Sequence, residues 1–212
     1  MTERDAFERW SWLYDAIAWP LTAPLFTAAR PAIASMLRTD ARVLDLGCGP
    51  GRELVGLSRL VPRGGVVGID RSGAMVERAR RRARRRGRAN ASVELADAAA
   101  LPADWSATFD LVFCALSHHH FTRPDAVARE VHRVLRPGGC YAIVDLVGRR
   151  ITRGLAPLSR RVDPGFQRFH STDEFRALLR GAGFSDIGLR HLSPGFGVVV
   201  ARGDDDGLGS RA

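Results

Sequence analysis

The chain has 212 residues, 45% of them hydrophobic and 8% aromatic, enough for one domain with a sizeable core and unlike a disordered or fibrous chain. Its formal charge of +9 comes from 32 basic residues, all of them arginine, so the excess reads as a bias in residue choice on a solvated face rather than a phosphate-binding surface. Cys48, Cys114 and Cys140 are odd in number and form no C-x-x-C pair, which argues against a disulfide framework or structural zinc and for a reducing compartment.

The N-terminus, MTERDAFERW, carries acids where a signal peptide needs an apolar run, and the uncharged stretch from Ala16 to Ala29 is too short to span a bilayer and is broken by Pro20 and Pro24. A cytoplasmic protein with no transmembrane segment is expected. Residues 1–39 are expected to form a helical lid rich in large aromatics, among them Phe7, Trp10, Trp12, Tyr14 and Trp19.

From residue 40 onward short β-branched runs alternate with amphipathic segments, the pattern of βα units on a parallel sheet. Strands are expected over Arg42–Leu46, Val66–Asp70, Ser92–Leu95, Asp110–Ala115 and Tyr141–Leu146, and helices over Glu53–Leu60, Gly73–Arg86 and Asp125–Leu135, with a brief turn at Pro102–Trp105. In Gly73–Arg86 the apolar Val76, Ala79 and Ala83 recur at helical spacing, with Ser72 placed to cap the start and Gly87 to stop the end. A further helix, Thr172–Leu179, precedes two late strands, Ile187–Leu192 and Gly197–Ala201, around Ser193-Pro194-Gly195, a spacing that suits an antiparallel hairpin. The expected fold is α/β: a Rossmann-like, doubly wound, seven-stranded, mostly parallel sheet with an antiparallel last strand and helices on both faces. The main domain covers residues 40–203, with a lid-like connection at 148–170 and a disordered tail at 204–212.

The stretch VLDLGCGPG, Val43 to Gly51, ends a buried strand in a glycine-rich turn that leads into a helix, which places free backbone N–H groups and a positive helix end beside a ligand. The dinucleotide pattern G-x-G-x-x-G fails, because the sixth position is Arg52, and no Gly-Lys-Ser/Thr ending makes a Walker loop. Neither pyrophosphate nor triphosphate is favoured. Asp45, Asp70 and Asp97 all fall at carboxyl ends of predicted strands, where open α/β sheets bind ligands. A nucleoside joined to a cationic, non-phosphorylated group satisfies three such acids.

VLDLGCGPG, GID, Asp97-Ala98, FDLVFCALSHHHF and RVLRPGGCYAIVD are, in order and spacing, similar to the motifs of class I S-adenosylmethionine-dependent methyltransferases of the small-molecule type. HSTDEFRALLRGAGFSDI resembles that family's last helix and following strand, and FERWSWLYD looks like the entry segment of ubiquinone and menaquinone C-methyltransferases and of some phospholipid methyltransferases. The resemblance covers about residues 40–200 and implies S-adenosylmethionine as cofactor, with S-adenosylhomocysteine as product. It implies that Gly47, Gly49 and Gly51 pass beneath the methionine part, with Asp45 near its amino group. Asp70 would hold the ribose, Asp97 with the Ala98 backbone the adenine, and Leu116 and Ser117 would line the methionine end. Cys48 and Arg71 flank these positions and complete the expected cofactor set.

Methyl transfer from a sulfonium is an in-line displacement that positioning and electrostatics largely accomplish, and a general base is needed only where the acceptor is not already ionised. His119 and His120 are the candidate bases, with packing or hydrogen bonding at the sheet edge as the alternative. A metal is not expected, because adjacent residues on an extended segment point in alternate directions. His118 stands where the family usually has an apolar residue, so it is expected to face the substrate with Trp10, Tyr14, Trp19, Phe166 and Phe169. The segment SHHHF replaces the Asn/Asp-Pro-Pro-aromatic run of enzymes that methylate nucleic-acid amines, so nucleic acid is not expected as a partner.

The expected acceptor is a small, largely apolar molecule: a secondary metabolite, a quinone precursor or a lipid headgroup. The expected protein is a monomer or homodimer. Two alternatives stay open at this point. A protein of the same fold could bind the sulfonium without transferring its methyl, for example to steer a cyclisation, or the arginine face could bind nucleic acid or an anionic membrane.

Overall fold

The computed structural model describes residues 23, 24, 26–147, 154, 156–157, 159–161, 165–193 and 195–203. Its strands are β1 (Arg42–Leu46), β2 (Gly65–Asp70), β3 (Ala91–Leu95), β4 (Phe109–Ala115), β5 (Leu135–Leu146), β6 (Phe184–Ser193) and β7 (Phe196–Gly203). Between them lie helices α1 (Arg52–Leu60), α2 (Gly73–Arg85), α3 (Pro124–Val134) and α4 (Thr172–Gly181), with single 3-10 turns at Ala103–Trp105 and His118–His120. Residues 26–34 are helical as well. The expected lid aromatics Phe7, Trp10, Trp12, Tyr14 and Trp19, and the tail 204–212, lie outside the described residues.

The seven strands form one sheet in the order β3-β2-β1-β4-β5-β7-β6. The four pairings from β3 to β5 are parallel, whereas β7 runs antiparallel to both β5 and β6. This is the expected Rossmann-like sheet with one reversed strand. β5 begins earlier than Tyr141, because Leu135 already pairs with Phe109 before a bulge sets the register Leu111–Cys140.

Each face of the sheet is covered because successive strand residues point to opposite sides. Val43, Phe113 and Val144 bury one face under Phe26 and Ile33 of the 26–34 stretch, Leu54 and Leu57 of α1, and Val76 and Ala79 of α2. Leu44, Leu46, Val112 and Ile143 bury the other under Val127 and Val131 of α3 and Phe175 and Leu179 of α4. Each fully buried Leu, Val or Phe side chain contributes about 1.5–3 kcal/mol of apolar burial.

The helix ends follow from local chemistry. The Ser72 hydroxyl accepts the Met75 N–H to start α2, and Gly87 takes a positive φ of 60° just past its end. A capping box starts α4, where the Ser171 hydroxyl accepts the Glu174 N–H and the Glu174 carboxylate accepts the Ser171 N–H. Along α2 the buried Met75, Val76, Ala79 and Ala83 form one stripe. Arg80, at the border of that stripe, reaches the outer strand β3, where its Nε and Nη2 both donate to the Val93 carbonyl. Among the described residues, no helix is long and apolar enough to cross a membrane.

The turn from β1 into α1 needs glycine for two separable reasons. At Gly51, where φ is 77°, a Cβ would sit 2.8 Å from Ala79 Cβ and 2.9 Å from Ala79 Cα, so α2 can pack here only against a bare backbone. At Gly49 φ is 50°, yet a Cβ would meet nothing within 4 Å. Left-handed backbone costs a non-glycine residue about 1–2 kcal/mol, and overpacking adds about 1–3 kcal/mol. Gly49→Ala is therefore expected to lose about 1–2 kcal/mol of stability and Gly51→Ala about 2–5 kcal/mol, in urea unfolding monitored by circular dichroism.

Candidate functional site

The strand order reverses between β1 and β4, so the chain leaves their carboxyl ends in opposite directions and opens a crevice there. The Ser117 hydroxyl, just past β4, donates to the Gly47 carbonyl, just past β1, at 2.8 Å. A Cβ on Gly47 would lie 2.6 Å from that hydroxyl oxygen, so the two loops meet only because residue 47 is glycine. Beside this bridge lies an open cleft of about 660 Å³, counting the solvent at its mouth, whose walls include Gly47, Asp70, Asp97, Ser117 and His120.

Asp70 at the end of β2 is braced from both sides. One carboxylate oxygen accepts the Gly49 N–H and the other the Ser72 N–H, each at 2.9 Å. Each oxygen keeps a second lone pair for a ligand hydroxyl. Burial raises its pKa, with the two backbone donors opposing that shift. Asp97 is more exposed: its Oδ1 accepts the Ala99 N–H, and its Oδ2 lies 3.2 Å from Arg123 Nη2 at the start of α3. Ala98 and Arg71 also line the cleft.

Asp45 differs from both. It is 1% exposed, its Oδ2 has no hydrogen-bond partner, and burial, then the charges of Glu53 and Asp70, pushes its pKa well up. An unpaired buried carboxylate is costly and calls for a proton or a cation. These features fit the cofactor that the sequence resemblance implies: a braced acid for a ribose, an orphaned acid for a cationic end and an open glycine turn between them.

The three histidines form a 3-10 turn rather than the expected extended segment. With about three residues per turn, their side chains leave in three directions. His118 turns into the core, 1% exposed, its ring against Phe121, His170 and Phe175. The expectation that it faces the substrate is corrected, because the face of the turn it occupies packs on α4. His119 turns to Asp145 at the end of β5: its Nδ1 is 2.7 Å from Oδ1, and its backbone N–H donates to Oδ2 at 3.1 Å. Burial would raise the Asp145 pKa, but the charge and hydrogen bond of His119 hold it below the usual carboxylate range. His120 turns to the cleft.

The end of the 148–170 connection is fastened to this turn. The His119 carbonyl accepts N–H bonds from Gln167 at 3.0 Å and Arg168 at 3.4 Å, and the rings of Phe166 and Phe169 lie 5.9 and 6.1 Å from the His119 ring. Both phenylalanines are buried beside a candidate base, as a wall for an acceptor requires.

Of the expected cofactor residues, the structure gathers Gly47, Asp70, Arg71, Asp97, Ala98 and Ser117 at the cleft. The Cys48 side chain instead packs in the core, and Leu116 is buried with a left-handed φ of 50°, its N–H on the Val144 carbonyl. The expected substrate residues Trp10, Tyr14 and Trp19 fall outside the described residues. Asp145 and Arg123 were not anticipated. Asp145 carries a signal in hindsight, as a fourth acid at a strand's carboxyl end. Among the described residues, no three His, Cys, Asp or Glu side chains are grouped to hold a metal ion.

Residues 37–175 match the family described as a methyltransferase domain. The chain is 39% identical over 163 residues to the 27-O-demethylrifamycin SV methyltransferase of Amycolatopsis mediterranei, covering 74% of this chain and 58% of that protein. It is 31% identical over 171 residues to the uncharacterized methyltransferase YcgJ of Bacillus subtilis, covering 78% of this chain and 66% of that one. The crystal structure of YcgJ superposes with a TM-score of 0.71 at 27% identity, over 78% of this chain and 70% of that chain. The [4+2]-cyclase SpnF shares the fold, with a TM-score of 0.67 at 23% identity, over 78% of this chain and 75% of that chain. The chain thus spans about three fifths to two thirds of the curated relatives named here.

His118 and His170 generate a pH dependence of stability. Burial, then the neighbouring His170, lowers the His118 pKa from 6.5 to about 3, and burial, then Arg168, lowers that of His170 to about 4. Both are held neutral in the folded protein and take up protons more readily when unfolded. Their contribution is therefore complete above about pH 6.5 and is lost as pH falls towards 4. Urea unfolding at pH 7.5 and pH 5 should show the loss, and His118→Phe, which also removes two unpartnered ring nitrogens, should reduce the difference between the two pH values.

Proposed function

The chain belongs to the methyltransferase domain family, and on that premise we propose that it transfers a methyl group from S-adenosylmethionine to a hydroxyl oxygen of a small, largely apolar acceptor. The observation that carries this reading is the 2.7 Å contact between His119 Nδ1 and Asp145 Oδ1. The 27-O-demethylrifamycin SV methyltransferase, together with the nocamycin O-methyltransferase of Saccharothrix syringae, supports a natural-product acceptor.

When bound, S-adenosylmethionine supplies an electrophilic methyl group on a sulfonium. Asp70 would hold the ribose through its two spare lone pairs, Asp97 and the Ala98 backbone the adenine, and Asp45 the ammonium of the amino-acid end. The turn through Gly47, Gly49 and Gly51 presents backbone without side chains to the rest. Ser117 shapes the end of the cleft nearest β4.

A hydroxyl is a poor nucleophile until its proton is removed. With the carboxylate of Asp145 accepting from Nδ1, the His119 proton resides there and the ring lone pair lies on Nε2, the tautomer of a base. Asp145 also stabilises the imidazolium formed when the acceptor proton arrives. It is a positioning residue, buried and fixed by the Leu146 N–H as well. Phe166 and Phe169 give the acceptor an apolar wall and exclude water from the same ring. His120, in the cleft and 4.2 Å ring to ring from His119, lies between the two halves of the site.

Calorimetric titration of S-adenosylhomocysteine tests the cofactor half. Asp70→Ala is expected to weaken binding by about 1.5–3 kcal/mol, the range for hydrogen bonds to a charged group; unchanged affinity would remove Asp70 from the site. For the acceptor half, hydroxylated polyketides and phenols are screened with S-adenosylmethionine for products heavier by one methyl group. On any acceptor found, His119→Gln and Asp145→Asn should each lower kcat by about 100-fold or more while S-adenosylhomocysteine still binds. Full activity in both variants would sink the base assignment.

A further inference from the structure

Glu53 is the acid in the first turn of α1, two residues past the glycine turn, and it is half-buried. Its carboxylate and the guanidinium of Arg30, from the 26–34 stretch, converge over Gly56: a Cβ built there would lie 3.7 Å from Glu53 Oε2 and 3.8 Å from Arg30 Nη2. Arg30 and Glu53 line one small cavity together with Phe113, and Phe113 is the β4 residue in register with Asp45. Asp45 points to this same face of the sheet, one strand away, with its buried Oδ2 unpartnered. The two charges that act on Asp45 most, Glu53 and Asp70, are both negative. Two carboxylates thus act on each other near the start of α1, and the positive charges of Arg30 and Arg52 act on the outer one.

We propose that Glu53 joins Asp45 in holding the ammonium group at the amino-acid end of the cofactor, with Arg30 fixing the Glu53 carboxylate in place. This rests on the reading that the cleft takes S-adenosylmethionine. An ammonium carries three N–H donors and no acceptor, so it can serve the orphaned Asp45 oxygen and a second carboxylate at once. It also supplies the positive charge that two neighbouring acids require. The positive end of α1 makes the position of Glu53 favourable for an acid before any ligand arrives, but it repels a cation. A single carboxylate at this turn therefore faces an opposing helix dipole, and a second one offsets it. Because Arg30 belongs to the segment before β1, the amino-acid subsite is tied to the placement of that segment as well as to the glycine turn.

The test compares two ligands that differ only at the end in question. S-adenosylhomocysteine carries the amino acid, whereas 5′-methylthioadenosine has the same nucleoside and sulfur without it. Glu53→Gln is expected to weaken the first by about tenfold or more and to leave the second within about twofold of wild type. Wild-type affinity for both ligands, or equal loss of both, would overturn the role of Glu53. A folded wild-type protein that binds neither would instead overturn the cofactor reading itself. Arg30 is tested by pH. Its charge, and to a smaller extent that of Arg52, opposes the rise that burial imposes on the Glu53 pKa, so Arg30→Gln should bind S-adenosylhomocysteine more weakly than wild type at pH 6 and recover towards wild type at pH 8. Equal affinity to wild type at both would exclude Arg30 from the subsite.

Discussion

A carboxylate with no access to water anchors the acceptor side of this protein. Asp145 accepts the ring N–H and the backbone N–H of His119 and the N–H of Leu146, which satisfies both oxygens inside the fold. Removing a hydrogen-bond partner of such a buried group typically costs about 1–3 kcal/mol, so the contact fixes the three-histidine turn on β5. The turn in turn carries the end of the 148–170 connection, since the His119 carbonyl takes two N–H bonds from Gln167 and Arg168. One buried histidine–carboxylate contact therefore determines where a candidate base points, where two phenylalanines sit and how the chain returns to α4.

The four acids at strand ends show how one location serves different chemistry through different neighbours. Asp145 is matched by a histidine, Asp70 by two backbone donors and Asp97 by an exposed arginine, while Asp45 keeps an oxygen with no protein partner. A fully matched acid can orient a side chain, a half-matched one can bind a neutral hydroxyl, and an unmatched buried one calls for a proton or a cation. The last two lie near each other because β1 and β2 are neighbours and end side by side.

The fold was legible because its signals are local. β1 was expected at Arg42–Leu46 and is found there, since an apolar run bounded by a glycine turn leaves little choice. The antiparallel β6 and β7 followed from their short separation. The start of β5 was missed because Leu135-Arg136-Pro137-Gly138-Gly139 has the composition of a turn, and only pairing with β4 makes it strand. The residues that line the cleft, such as Gly47, Asp70 and Asp97, were legible as a spaced motif, which is a property of one continuous loop and two strand ends. Asp145 was not, because its meaning depends on a histidine 26 residues earlier, and His118 was placed on the wrong side because adjacent histidines give no clue that the backbone tightens into a 3-10 turn. Arg123 meets Asp97 across an equal span and leaves no local trace.

The arginine-rich α2 lies beside the outer strand of the sheet. The ladder between β2 and β3 uses the Asn90 carbonyl and the Ala96 N–H on the inner side, so the carbonyl of Val93 points outward, to the open border of the sheet. That is the group Arg80 grips with two donors. A strand from another molecule seeking to extend the sheet needs that carbonyl and would have to dislodge a guanidinium to reach it. The arginines flanking it add like charge to any approach by a second copy. The positive excess on this helix thus works as a guard on an exposed border, keeping a seven-stranded sheet from growing into an eighth strand borrowed from a neighbour.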